Sequence, residues 1–515
     1  MNGNGNGNSL FRRLRDSQFE YPLNPSQKFL PLNRLDESIT EENVETELCA
    51  RAWIPALASA LLPTKMIVKQ AKKVFAILVD IGEPGMIKEL LHEGLRDEHL
   101  PLCPKEIGAN VLISRSGKVF KSFAKSMSEQ RVTDFLDKQW TVLAPVLDLS
   151  GSHMDLDSRC PLPFIKVDSG QGTPTSMVYK TELHPAHYRG PKHHGKTHHV
   201  ATKEFRSSAP FLQEKENLAT IRRLDHGHLI KHLATYKKDT NYYIIFPWAS
   251  GGNLRNFWKL KDTRPRDTGL ASWSLRQMLG LAGALDALHS VNCRHGDLKP
   301  DNILHFQEES EKNEGKLVVA DVGVSRRHSE STELRHVGTT TKATTPSYEA
   351  PEAFESNSEP RARRYDVWSL GCVYLEFAIW LLHDFESINS FYRARNAPSF
   401  EFYLLDRHSS SSNRSPEIHP MVTMALKKLR NDARCKDGTA FESFLNLIAE
   451  RLLQIDVNQR AEASEVVEKL HKIVQDVEAD PSRLFNDVQS PSERLRFPRR
   501  AQTGASEYSP VPIPE

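Results

Sequence analysis

His295-Gly296-Asp297-Leu298-Lys299-Pro300-Asp301-Asn302-Ile303-Leu304 is the stretch on which the reading of this chain turns. It packs an acid, a base, an amide and a turn-forming proline into ten residues and closes on two apolar ones. Asp297 is a carboxylate able to orient a hydroxyl and accept its proton. Lys299, two residues on, is a cation that could hold a phosphate in transfer. Asn302 offers a carbonyl oxygen, a hard ligand suited to Mg²⁺. Ile303 and Leu304 would open a buried strand that anchors the loop. An ordinary polar loop ahead of a strand has the same composition, so the surrounding chain decides.

At 515 residues the chain is too long for one small core. Its apolar content of 39% and charged content of 26% are those of a globular protein. A net charge of +2 gives no electrostatic case for nucleic acid or for an anionic membrane. Six cysteines lie scattered without Cys-x-x-Cys pairs. That fits reduced thiols better than a disulfide framework or a zinc site, and it suggests an intracellular, cytoplasmic location with the nucleus left open. The start, Met1 to Ser9, alternates Asn and Gly and lacks the apolar core of a signal peptide. The most apolar run, 74–81, is far short of the roughly 20 residues of a membrane-spanning helix.

Residues 1 to about 45 are polar and turn-rich and read as disordered. Residues 46–150 read as a helical region, with Ile87, Leu90, Leu91 and Leu95 recurring at helix spacing. Pro161 and Pro163 follow a Ser150-Gly151-Ser152 break and mark a boundary. A domain is expected over residues 160–478. Its first part, about 160–248, reads mainly as strands, and its second, about 249–478, mainly as helices. The clearest helix covers 272–289, where Leu275, Met278, Leu279, Ala282, Leu285 and Leu288 share a face. Residues 383–419 read as an insertion loop and 479–515 as a disordered tail. Six His fall within residues 184–199, without acidic or Cys partners at a fixed spacing. A solvated insertion is preferred there to a metal site.

Strands first, helices second and a polar loop between them is the order of a known family. The loop at 295–302 resembles H-R-D-L-x-x-x-N, the catalytic loop of eukaryotic protein kinases, with Gly296 in the place of Arg. Further motifs follow in the family's order. Ser169-Gly170-Gln171-Gly172-Thr173-Pro174-Thr175-Ser176-Met177 resembles the glycine-rich phosphate cover, with Thr175 for its third glycine. Val200-Ala201-Thr202-Lys203 is similar to V-A-I-K. Ala320-Asp321-Val322-Gly323 resembles D-F-G, with Val for Phe. Tyr348-Glu349-Ala350-Pro351-Glu352 resembles the segment ending in A-P-E, and Asp366-Val367-Trp368-Ser369-Leu370-Gly371 the central helix. Arg460 matches the cation that pairs with the A-P-E glutamate, here Glu352.

The resemblance implies an α+β, two-lobe protein-kinase-like fold preceded by a small helical region. It implies serine/threonine kinase activity on protein substrates with ATP and Mg²⁺, since Lys299 follows Asp297 by two residues as in serine/threonine kinases. By this resemblance Asp297 and Lys299 are catalytic, and Asn302 and Asp321 hold metal. Gly170, Gly172, Met177, Ala201, Lys203, Glu214, Phe246, Pro247, Ala249 and Leu304 would surround the nucleotide. Lys203 would pair with Glu214, or with Glu216 as the alternative. No nucleic-acid or membrane partner is implied. The whole chain also resembles filamentous-fungal kinases that carry an N-terminal helical region. Two other readings stay open: a kinase fold that only binds partners, suggested by Thr175 and Val322, and a small-molecule phosphotransferase, whose loop is often spelled His-Gly-Asp.

Overall fold

Tyr179, Thr181 and Leu183 alternate with Val178, Lys180 and Glu182, and this period of two runs through a twisted sheet. Its strands lie in the order Ser152–Leu156, Ala234–Lys238, Asn241–Pro247, His198–Phe205, Ser176–Leu183 and Phe164–Val167, with Gln171–Gly172 paired to Ser176–Leu183. All pairings are antiparallel except that of Ser152–Leu156 with Ala234–Lys238. The computed structural model describes residues 9–49, 63–106, 108–172, 176–190, 198–262, 267–307, 314–322, 346–355, 363–395, 401–405, 416–436, 438–486 and 495–497. The chain divides into a β-rich unit, Met1–Leu212 with His232–Trp248, and a helical unit, Gln213–Lys231 with Ala249–Glu515. These are the small sheet lobe and larger helical lobe of the expected two-lobe fold, preceded by N-terminal helices.

Within the β-rich unit the expected disorder of residues 1–45 does not hold for 9–45. Helices Leu10–Asp16, Leu32–Ser38 and Glu41–Cys49 flank a hairpin of Phe19–Tyr21 and Asn24–Phe29. Apolar residues are sparse here, but Leu10, Leu14, Leu35, Ile39 and Val44 all bury in one core with Val74, Phe75 and Ile77. That burial offsets the ordering entropy that the composition alone leaves unmet. Residues 46–150 are not wholly helical: Leu102–Pro104, Leu112–Ser114 and Val119–Phe120 form a small sheet.

One histidine ties this N-terminal region to the large sheet's connecting loops. His187 is 1% exposed. Its Nδ1–H donates to the Pro145 carbonyl at 3.0 Å, and its Nε2 accepts the Leu32 N–H at 3.1 Å. Phe29 packs edge-on to His187 at 5.5 Å and to His184 at 6.0 Å. The expected solvated insertion is therefore corrected: His184, His187 and His198 are buried, because their rings complete apolar contacts. Residues 191–197 lie outside the described residues.

The helical unit is built around Arg364–Leu382, in which every residue from Tyr365 to Leu382 is buried. The helix is long and apolar enough to cross a membrane, and all of its apolar window is buried within the protein. Thr268–Ser290 packs beside it, started by Asp267, whose carboxylate accepts the Leu270 N–H at 2.8 Å. Residues 213–231, expected with the small lobe, group with this unit instead. The Ile230 N–H donates to Val319 at 2.9 Å, and the Val319 N–H to His228 at 2.8 Å. A Cβ at Gly280 would lie 2.2 Å from the His228 ring, so glycine is required there.

The expected insertion loop at 383–419 contains a helix, Phe385–Ala394, and a hairpin of Tyr403–Leu405 with Pro416–Ile418. Asp384 caps the helix by accepting the Ser387 N–H at 2.7 Å. Residues 406–415 lie outside the described residues. The expected disorder of 479–515 fails for its described parts. Phe485 stacks on Phe441 at 4.4 Å, and Leu484, Leu495 and Phe497 are buried.

Candidate active site

The polar loop is fixed by a residue far along the chain. Asp366, fully buried near the start of the central helix, accepts the His295 N–H through Oδ2 and the Gly296 N–H through Oδ1, each at 2.8 Å. His289 adds a third contact to Asp366 Oδ2 at 3.0 Å. Burial alone would raise the Asp366 pKa. The His289 hydrogen bond and the charges of His289, Arg294 and His295 outweigh it and hold the carboxyl below its ordinary value. Gly296 has φ +83°, a left-handed backbone that suits glycine and strains other residues. His295, 0% exposed, donates from Nε2 to the Ala320 carbonyl at 2.9 Å and accepts the Asp297 N–H at 3.3 Å. One imidazole thus ties the loop to the strand preceding Asp321.

The loop brings Asp297, Lys299 and Asn302 together. Lys299 Nζ lies 2.8 Å from Asp297 Oδ2, and Asn302 Nδ2 donates to the same oxygen at 3.1 Å and to the Asp297 carbonyl at 2.8 Å. All three are mostly buried. Because Asn302 spends its amide N–H groups on Asp297, its carbonyl oxygen is the group left for a hard cation. Asp321 also has a left-handed backbone, φ +58°, and follows the strand Lys316–Val319 paired to Ile303–Phe306. Two oxygen donors, an amide and a carboxylate, suit Mg²⁺ completed by phosphate and water. Val322 is buried, and its carbonyl accepts from Asn217 at 3.3 Å. Gly323 and the threonines at 339–345 lie outside the described residues.

Leu304 is half-buried opposite Val318. Ala249 is buried, and its carbonyl accepts the Gly252 N–H at 3.1 Å. The following glycines have reasons beyond a turn: a Cβ at Gly251 would lie 2.0 Å from His305 Nδ1, and Gly252 has φ +70°. Glu214 is 5% exposed on the helix Ser208–Leu224.

The segment 346–352 is locked by two ion clusters that the sequence reading found only in part. Arg460, 0% exposed, holds Glu352 bidentately at 2.7 and 3.0 Å, and stacks on Trp368 at 5.3 Å. The second cluster was not anticipated. Tyr348 donates to Glu376 at 2.8 Å, and the same carboxylate meets Arg395 at 3.3 Å, both partners 1% exposed. Arg255 joins Tyr348 to Asp301 of the loop, with an Arg255–Asp301 contact of 3.1 Å. Glu376 lies ten residues after Asp366 as the only charged residue of the stretch 370–382. A lone acid in such a run is the signal that could have exposed it.

In the β-rich unit, Lys203 pairs with Val178 and Ile244, and Ala201 pairs with Lys180 and Phe246. Directly opposed residues share a face, so Val178, Ala201, Lys203, Ile244 and Phe246 share one. Pro247 pairs with Val200 and lies on the other. Met177 pairs with Glu204 and is also placed opposite to Lys203, which corrects the sequence reading: Val178 takes the position expected of Met177. Met177 instead serves the glycine hairpin. A Cβ at Gly172 would lie 2.8 Å from its Sδ, and one at Gly170 would lie 2.6 Å from the Tyr179 ring. Both glycines are thus required by close packing. Thr173, Pro174 and Thr175 lie outside the described residues. Glu204 is bound by Tyr179 and Tyr243, each at 3.0 Å.

Comparison with known proteins agrees with this geometry. Residues 188–471, more than half of the chain, match the protein kinase domain. A calcium/calmodulin-dependent protein kinase of Metarhizium anisopliae is 30% identical over 156 residues, 30% of this chain and 37% of that protein. Calcium/calmodulin-dependent protein kinase type 1 of Macrobrachium nipponense is 28% identical over 159 residues, 31% of this chain and 41% of that protein. Serine/threonine-protein kinase Nek5 of Mus musculus is 26% identical over 240 residues, 45% of this chain and 36% of that protein. The chain therefore spans well under half the length of these relatives. With the anchored loop and the Glu352–Arg460 pair in place, the match makes the chain a member of the eukaryotic protein kinase family.

Proposed function

We propose that this chain is an ATP-dependent protein kinase that transfers the γ-phosphate to Ser or Thr hydroxyls of protein substrates. The observation that carries the reading is the cluster of Asp297, Lys299 and Asn302 on a backbone held by Asp366. Asp297 would orient the substrate hydroxyl and take its proton. Lys299, already 2.8 Å from Asp297, would stabilise the charge on the phosphoryl group in flight. Asn302 and Asp321 would hold Mg²⁺, which neutralises charge on the nucleotide phosphates. Lys203 would align the phosphates, with Val178, Ala201 and Phe246 offering an apolar face to the adenine. The Arg460–Glu352 and Tyr348–Glu376 contacts favour a protein substrate, because they fix the segment that would present a polypeptide. The finer resemblance to filamentous-fungal kinases rests on Val178-Tyr179-Lys180 and Glu182-Leu183-His184-Pro185. The test is radiolabel transfer from ATP to generic protein substrates by the wild type and by Asp297→Asn. Equal transfer by the two proteins would sink the proposal, as would absence of transfer by a wild type that binds ATP and Mg²⁺.

A further inference from the structure

The short segment Leu495-Arg496-Phe497 lies against the helix Phe385–Ala394 in a way that ordinary chain packing does not require. Leu495 and Phe497 are buried, while Arg496 between them is exposed, the alternation of an extended strand. Two backbone donors are read by two hydroxyls. The Leu495 N–H donates to Ser387 Oγ, and the Phe497 N–H to Ser390 Oγ, each at 3.2 Å. Ser387 and Ser390 are three residues apart, so they stand on one face of the helix. The Ser387 hydroxyl donates its own proton to Asp384 at 2.6 Å, which leaves a lone pair for the incoming N–H.

The remaining contacts read the side chains and the carbonyl between them. Lys428 donates to the Arg496 carbonyl at 2.8 Å and lies 5.4 Å from the centre of the Phe497 ring. Phe497 packs on Phe391 at 5.3 Å. A cavity of about 370 Å³, lined by Glu386, Ser390, Arg393 and Phe497 among others, leaves the groove only partly filled. Backbone donors, one backbone acceptor and two apolar side chains at alternate positions are all engaged. That is the recognition of a linear peptide in extended form.

We propose that the groove between Phe385–Ala394 and Lys428 is a docking site for Leu-x-Phe peptides, with the chain's own Leu495–Phe497 as its resident occupant. The site stands apart from the phosphotransfer reading and holds whether or not that reading does. It has a route to the segment before Glu352, however. Phe391, on which Phe497 packs, also carries the Arg395 guanidinium at 4.3 Å, and Arg395 holds Glu376, which holds Tyr348.

The test uses a fluorescent peptide with the sequence of residues 493–499 and the full-length chain, wild type and Leu495→Ala/Phe497→Ala. The double variant vacates the groove, so it is expected to bind the peptide one-to-one and at least tenfold more tightly than the wild type. A peptide with alanine at both apolar positions should bind neither protein. Equal binding to both proteins, or no binding to the variant, overturns the proposal. Amide hydrogen exchange in the unaltered wild type gives an answer that depends on no variant. Exchange at Leu495 and Phe497 should be at least tenfold slower than in the free peptide, and free-peptide rates at both would overturn it.

Discussion

The Asp366 carboxylate holds the Gly296 N–H at 2.8 Å across 70 residues of sequence. Placement of the loop in this chain is thus a property of the central helix as much as of the loop itself. With its other oxygen on the His295 N–H, the carboxylate satisfies two buried backbone donors that would otherwise be costly to leave unpaired.

Asp366→Asn tests this. An amide can accept through only one atom, and its NH₂ would face a backbone N–H. The variant is expected to lose about 3–5 kcal/mol of stability in urea denaturation. Its kcat should fall by about tenfold or more while KM for ATP changes little, because loop geometry is altered and nucleotide contacts are not. An unchanged denaturation midpoint would show that the carboxylate does not carry the loop.

Substitutions in the proposed chemistry should behave differently. Lys203→Met, Asp297→Asn and Asp321→Asn are each expected to cut phosphoryl transfer by about 10²-fold or more with little change in melting temperature. Initial rates and a thermal scan decide it. Turnover like the wild type in any of the three removes that residue from the mechanism.

Arg460→Ala should act on stability. The guanidinium is 0% exposed and makes hydrogen bonds to Glu352, to the Arg364 carbonyl at 2.9 Å and to the Gln454 carbonyl. Its removal leaves a largely buried carboxylate and two carbonyls without their cation, at an expected cost of about 3–5 kcal/mol. Arg460→Ala/Glu352→Ala should recover part of that loss. A double variant no better than the single one would place the main role of Arg460 at the carbonyls.

The motifs of the loop, of the A-P-E segment and of the central helix were legible because each is short and its chemistry is local. Register was less so. Met177 and Val178 are adjacent apolar residues, and a one-residue shift exchanges their faces. Only the pairing of Met177 with Glu204 and of Val178 with Lys203 separates them. The N-terminal segment looked too polar to fold because a strand such as Asn24–Phe29 exposes most of its residues. Its order comes from contacts such as Leu32 with His187, 155 positions away. The chain of Arg255, Tyr348, Glu376 and Arg395 draws on separated segments, and no spacing rule joins them.

His187 gives the β-rich unit a dependence on acid. Burial is the main cause that lowers its pKa to about 4 from an ordinary 6.5. The neutral ring is the one that can accept from Leu32, so the folded state resists protonation. As pH falls below 6.5 the unfolded chain binds a proton that the folded chain does not, and stability drops until pH reaches about 4. The full loss from this residue is about 3 kcal/mol. His228, also lowered to about 4, acts in the same direction, so the slope of the wild type is a sum. His187→Gln retains a donor and an acceptor without a titrating proton. Its stability between pH 7 and pH 4.5 should fall less than that of the wild type, and equal slopes would refute the assignment.

The last prediction concerns Gly296, which stands where the kinase pattern carries Arg. In the pattern that Arg receives a phosphate placed on the activation segment and so orders it. Gly296 has no side chain, and its φ of +83° disfavours any replacement. Gly296→Ala should cost about 1–2 kcal/mol of stability through backbone strain alone. The nearest arginine in sequence, Arg294, is no substitute receptor. It is 8% exposed, lies 5.2 Å from the centre of the Tyr365 ring, and adds its charge to the field around Asp366. The threonines at 339–345 and Arg326 and Arg327 lie outside the described residues. We expect basal activity without phosphorylation of this segment. The chain is expressed with a phosphatase, the segment is confirmed unmodified by mass spectrometry, and kcat is compared with that of the phosphorylated form. A fall of more than about tenfold on dephosphorylation, equivalent to roughly 1.4 kcal/mol in the barrier, would mean that the chain binds the phosphate through another cation.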